Sequence, residues 1–138
     1  AIQGEPDAEL EDLLGEIEAI QRAAMKPMKA GAMGREIYAA GEPLKAKSKH
    51  HNHLEFLAHG MGMVSHEGPR LTDHGPVPYP GEYADMPLEA GMVVSVETTM
   101  LHQSRGFIKL EDTVVVTEAG SVIYGEGLRG WNRAGSAA

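Results

Sequence analysis

Apolar residues recur along the first part of the chain at the spacing of one helical face. Leu10, Leu13, Leu14, Ile17, Ile20 and Ala24 stand three or four positions apart, which predicts an amphipathic helix over residues 7–25 with one side on an apolar partner. Asp7 is placed to cap it, and Glu9, Glu11 and Asp12 fall in the opening turns, where the helix dipole favours negative charge. Pro27 stops this helix and Gly31 loosens the chain beyond it. A weaker period predicts a second helix over residues 35–47 with Ile37, Tyr38 and Leu44 turned inward, although Gly41 and Pro43 count against it. From Leu54 onward helical spacing disappears, and glycine, proline and β-branched residues take over. Residues 92–100 and 107–117 read as strands rich in valine and threonine, 117–120 as a turn, and 121–124 as a short returning strand. The proline-rich stretch 68–91 reads as a long ordered loop. Two helices followed by antiparallel strands make an α+β domain.

Composition narrows the chemistry. The 138 residues suffice for one compact domain spanning 1–138, and the 42% hydrophobic and 23% charged content is that of a globular protein. A formal charge of −8 argues against a broad nucleic-acid surface, which needs basic side chains to neutralise phosphates. There is no cysteine, so disulfides and thiol catalysis are excluded. Any metal must be held by His, Asp and Glu, which points to Mn²⁺, Co²⁺ or Zn²⁺. No apolar run approaches the roughly 20 residues that span a bilayer, and no secretory signal is visible. The expectation is a cytoplasmic protein with no membrane partner. The chain starts at Ala1 without an initiator Met and enters its first helix almost at once, as expected of a piece of something longer or a processed chain.

Three separated segments carry side chains suited to a metal. The first runs His59-Gly60-Met61-Gly62-Met63-Val64-Ser65-His66-Glu67, two histidines flanking glycines that let the backbone pass close to a site. The second is Glu97, alone among Val93, Val94, Ser95, Val96 and Thr98. The third is Glu111-Asp112, ahead of the valines 114–116. Each also has an ordinary reading. A single Glu in a strand usually faces solvent, Glu111 and Asp112 make a plain charge pair at a strand's start, and His50, His51 and His53 read as surface residues. Several carboxylates and imidazoles converging in apolar strands are harder to explain without a cation, because burying a charge is costly unless something compensates it.

The order HGMGMVSHE, LEAGMVVSVETTM, FIKLEDTVVVTEAG resembles the M24 metallopeptidase family in its C-terminal catalytic half, over essentially the whole chain. That family includes methionine aminopeptidase, aminopeptidase P, prolidase and the non-peptidase creatinase. The resemblance implies the C-terminal half of a pita-bread fold, with two helices packed on a curved antiparallel sheet and the fold's N-terminal strands missing. By position it makes His59 and Glu97 ligands of one ion, Glu111 a bridge between two ions, and His66 a catalytic and substrate-binding histidine. Lys109, also expected to contact substrate, stands where family members commonly have Arg, which keeps the charge but loses the bidentate fork. Glu55 stands where prolidase-like members often have His, and Thr98-Thr99-Met100 replaces a usual Pro-Gly. The two aspartate ligands implied by the family lie in strands before the first helix, and Asp7, Asp12, Asp73, Asp85 and Asp112 match neither.

The implied activity is metal-dependent hydrolysis of N-terminal peptide bonds, of the Xaa-Pro aminopeptidase or dipeptidase kind. Two divalent ions, Mn²⁺ by preference, fill the complete site, and a peptide is the substrate. This chain carries three of five protein ligands and is expected to be inactive by itself. It is also expected to form a homo-oligomer or to pair with a complementary N-terminal segment, because an open sheet edge invites pairing. Without metal, repulsion between the carboxylates should raise at least one of their pKa values. The rivals are creatinase-like chemistry on a small non-peptide metabolite, and an inactive module that binds peptides or partner proteins.

Overall fold

A computed structural model describes residues 1–71, 81–125, 127 and 129–135. Its elements run β1 (Ile2–Gln3), α1 (Ala8–Met25), α2 (Gly34–Lys47), β2 (Leu54–Gly60), β3 (Glu67–Arg70), β4 (Val93–His102), β5 (Gly106–Val116), β6 (Ser121–Tyr124) and β7 (Arg133–Ala134). β1 and β7 pair in parallel, while the other five strands form an antiparallel sheet in the order β3-β2-β4-β5-β6.

Helix α1 forms as its sequence predicts. The Asp7 carboxylate accepts the N–H of Leu10 at 3.0 Å, and Leu10, Leu13, Leu14, Ile17, Ile20 and Ala24 are all buried. Arg105, in the turn between β4 and β5, bonds the Asp7 carboxylate at 2.7 Å and also reaches Glu9, so the start of α1 sits over the hairpin tip. In α2, Ile37 is buried and Tyr38 half-buried, but Leu44 is 40% exposed and does not face inward as expected. The face turned to α1 centres on Gly41 instead: a Cβ there would stand 3.5 Å from that of Ala24, so a missing side chain brings the helices together. The residue that weakens the helix locally is the one that lets it pack.

The sheet has two chemically different faces, because successive side chains on a strand point to opposite sides. Leu54, Phe56 and Ala58 of β2, Val94, Val96 and Met100 of β4, and Ile108, Val114 and Val116 of β5 form the core with Ile17, Ile20 and Ile37 of the helices. The opposite face carries His59, Ser95, Glu97, Lys109, Glu111 and Thr113, brought side by side by the ladder.

Strands β2 and β3 carry no clean alternation in the sequence, and the expected loop over 68–91 is regular at its beginning, where β3 pairs with β2. Another part of that stretch, Gly81–Asp85, is a 3₁₀ turn. Residues 72–80, Asp73 among them, lie outside the described residues. The turn at 117–120 is as expected, the Thr117 N–H donating to the Gly120 carbonyl at 2.8 Å. No helix among the described residues is long and apolar enough to cross a membrane.

Candidate metal centre

Register builds the site. Glu97, in the middle of β4, stands directly opposite Glu111 of β5. His59, near the end of β2, pairs with Ser95, two residues before Glu97 on the same face. Glu97 is only 5% exposed. Two like charges facing each other across a ladder oppose pairing, so the arrangement requires compensation. Lys109 supplies it from the next position along that face: its ammonium contacts Glu97 and lies 3.0 Å from Glu111 Oε2. The Ser95 hydroxyl donates to Glu111 Oε1 at 2.6 Å.

The imidazole is oriented for ligation. His59 Nδ1 lies 3.0 Å from the Gly60 carbonyl, so in the neutral ring the proton sits on Nδ1 and the Nε2 lone pair is free. Nε2 is buried, 3.6 Å from Glu97 Oε1, and makes no hydrogen bond among the described residues. His66 lies over His59, ring centroids 4.3 Å apart and planes 21° apart, and is exposed. His59, His66 and Glu97 each offer a ligand atom within 4.8 Å of the others. Thus His66, expected to act from outside the ion's ligand shell, stands within reach of an ion shared with His59 and Glu97. Glu111 joins the group through Lys109 rather than through the imidazoles. An unpartnered buried imidazole nitrogen with oxygen donors beside it fits a borderline divalent ion.

The charges are strongly coupled. The His59 imidazole, and after it the Lys109 ammonium, hold the Glu97 carboxyl down to about 2 against the opposing effect of burial. The expectation that repulsion raises at least one carboxylate pKa is not met at Glu97, where His59 and Lys109 outweigh desolvation. His59 is raised, chiefly by the facing Glu97 carboxylate and against desolvation. For Lys109, burial acts downward but the two carboxylates overcome it, leaving the amine above its ordinary value of 10.5. The consequences for stability differ in sign. Glu97, depressed from 4.5, stabilises the fold above about pH 4.5, and that contribution disappears as pH falls toward 2. His59, raised from 6.5, stabilises below that value and loses its contribution as pH rises through the elevated one. Melting temperatures measured with chelator from acid to mildly alkaline pH should fall at both ends, and His59→Ala should remove the alkaline decline.

A close backbone approach fixes the loop bearing the second histidine. The β2–β3 register shifts between His59 and Gly60, and a Cβ on Gly60 would lie 2.0 Å from the Gly68 carbonyl oxygen. Gly60→Ala should therefore cost about 1–3 kcal/mol through backbone displacement, read by chemical denaturation; an unaffected midpoint would exclude so tight an approach.

Sequence reading missed a second polar cluster on the opposite, apolar face. Asp112, next to Glu111 but pointing the other way, accepts from Gln21 Nε2 at 2.6 Å and from Arg129 Nη1 on the same oxygen. Arg129 Nε also donates to Glu18 at 2.9 Å. The segment after Tyr124 is thus tied to α1 and β5. The available signal was Gln21 inside the apolar stripe of α1 matched by Asp112 among the core residues of β5. Where β6 stops, Lys109, Glu111, Asp112, Tyr124, Arg129 and Asn132 line a cleft of about 470 Å³ beside the carboxylates.

A sequence model of the metallopeptidase family M24 matches residues 1–118. The Xaa-Pro dipeptidase of Pyrococcus furiosus is 26% identical over 121 residues, covering 87% of this chain and 32% of that protein. The probable dipeptidase PepE of Mycobacterium tuberculosis is 28% identical over 120 residues, covering 86% and 30%. Among solved structures, the Xaa-Pro dipeptidase from Bacillus anthracis superposes with a TM-score of 0.75 at 25% identity, covering 96% of this chain and 35% of the other. The X-Pro aminopeptidase from Thermotoga maritima gives 0.73 at 26%, covering 88% and 32%. The chain spans about a third of the length of the curated relatives it matches.

Proposed function

This chain belongs to metallopeptidase family M24 and shares the pita-bread architecture of its structural neighbours, and from that premise we propose that it carries part of the metal centre of an Xaa-Pro-type peptidase. The reading rests on one observation: His59, Glu97 and Glu111 stand together on the sheet face away from the helices, with the buried Nε2 of His59 unpartnered. These three side chains would hold the ion, Mn²⁺ by preference, which would supply an activated water and a polarised scissile carbonyl. Glu97 and Glu111 balance the ionic charge, and the Gly60 carbonyl orients His59. His66, exposed beside them, meets the peptide and donates a hydrogen bond to the oxygen on which charge develops. Lys109, at the mouth of the neighbouring cleft, contacts the substrate. Three ligands hold one ion, not two, so turnover requires the family's two aspartates from elsewhere, and partial domain, complementary segment, self-association and cytoplasmic location belong to the same reading.

The test is hydrolysis of Xaa-Pro dipeptides with Mn²⁺ and with chelator, by this chain and by a protein that also contains the family's aspartate-bearing strands. Metal-dependent turnover by the longer protein alone is the expected result; turnover that persists after complete removal of metal would overturn it. A creatinase-like reading draws on Thr99, which occupies the site face opposite Lys109 where peptidases usually carry another sequence. Small guanidino and sulfonio compounds in the same assay separate the two.

A further inference from the structure

We propose that Lys109 is a resident counter-ion: its ammonium holds the position between Glu97 and Glu111 that a divalent ion takes, and the ion enters by displacing it. The inference rests on the metal reading above and deepens it. Glu97 and Glu111 are directly opposed in the ladder, and Lys109 sits one pleat along the same face, opposite Thr99. From there its ammonium touches both carboxylates at once. The same two groups that would grip a cation from the protein side are already bridged by one.

The competition is local and physical. With His59 neutral, two carboxylates and one ammonium leave the site one charge negative, so a single Lys compensates only half of what a divalent ion compensates. Glu97 is nearly sealed from water, which strengthens the exchange of one cation for another. The Lys109 side chain is 37% exposed, so its flexible four-carbon stem has a way out toward solvent. An arginine fork in the same place would be held rigidly and bidentately, and would not yield so readily. Lys109 thereby keeps two facing acids compatible with a folded sheet before the ion arrives, and on leaving them is released toward the cleft.

Two measurements on the intact chain test this. In equilibrium dialysis against Mn²⁺, Lys109→Met should bind about tenfold more tightly than the wild type, because a competing positive charge is gone. With chelator its melting temperature should be lower than wild type, and Mn²⁺ should restore it. Where that variant fails to fold without the ion, trace acylation of the wild-type lysines read by mass spectrometry carries the test. Adding Mn²⁺ should raise the labelling of Lys109 while the exposed Lys26 and Lys47 stay constant. Mn²⁺ affinity no higher in Lys109→Met, or Lys109 labelling unchanged at saturation, would overturn the displacement and leave the metal site standing. Failure of both chains to bind Mn²⁺ would overturn both.

Discussion

Asp112→Ala should destabilise the fold by about 3–5 kcal/mol, the usual cost of removing one partner from a buried ion pair. The carboxylate it deletes is 7% exposed, and one oxygen receives both Gln21 Nε2 and Arg129 Nη1. Without it the Arg129 guanidinium, 10% exposed, keeps Glu18 as its charged partner among the described residues, and the wholly buried Gln21 amide loses its acceptor. A buried guanidinium left with one carboxylate in place of two is the dominant cost, so Asp112→Asn, which retains an acceptor oxygen without the charge, should fall between alanine and wild type. Urea unfolding followed by the fluorescence of Trp131, two residues beyond Arg129, reads both the global stability and the docking of that segment. A loss below about 1 kcal/mol, the level of an exposed ion pair, would mean the cluster is solvated rather than buried.

Glu97→Gln should weaken Mn²⁺ binding by at least about a hundredfold, since outer-shell changes alone cost 10–100-fold and Glu97 is proposed as a direct ligand. The amide is nearly isosteric, so the sheet should persist by circular dichroism, while His59 and Lys109 both lose the charge that raises their pKa values. Titration calorimetry against Glu55→Gln, an exposed acid on the same strand as His59, supplies the control. Equal affinity in the two variants would remove Glu97 from the ligand set and with it the metal reading of this face. The two substitutions also separate the sheet's two faces, because Asp112→Ala acts on stability and Glu97→Gln on ion binding.

Local patterns carried a large part of the architecture. The stripe from Leu10 to Ala24 specified α1, its buried side and its Asp7 cap, because helix formation and burial both follow a 3.6-residue period. Valine-rich alternation specified β4 and β5, and the resemblance of three segments to the M24 family singled out His59, Glu97 and Glu111 with no knowledge of their contacts. What no local pattern holds is register. Glu111 and Asp112 are adjacent and chemically alike, yet the pleat sends one toward His59 and the other under α1, and only the pairing of Glu97 with Glu111 says which. The stacking of His66 on His59, the inward turn of Gly41 in place of Leu44, and the bridge from Lys109 to two acids likewise arise between segments distant in the chain. A residue's period is set by its neighbours in sequence, whereas its partner is set by which strands meet and at what offset, and that offset is fixed by the packing of the whole sheet on its two helices.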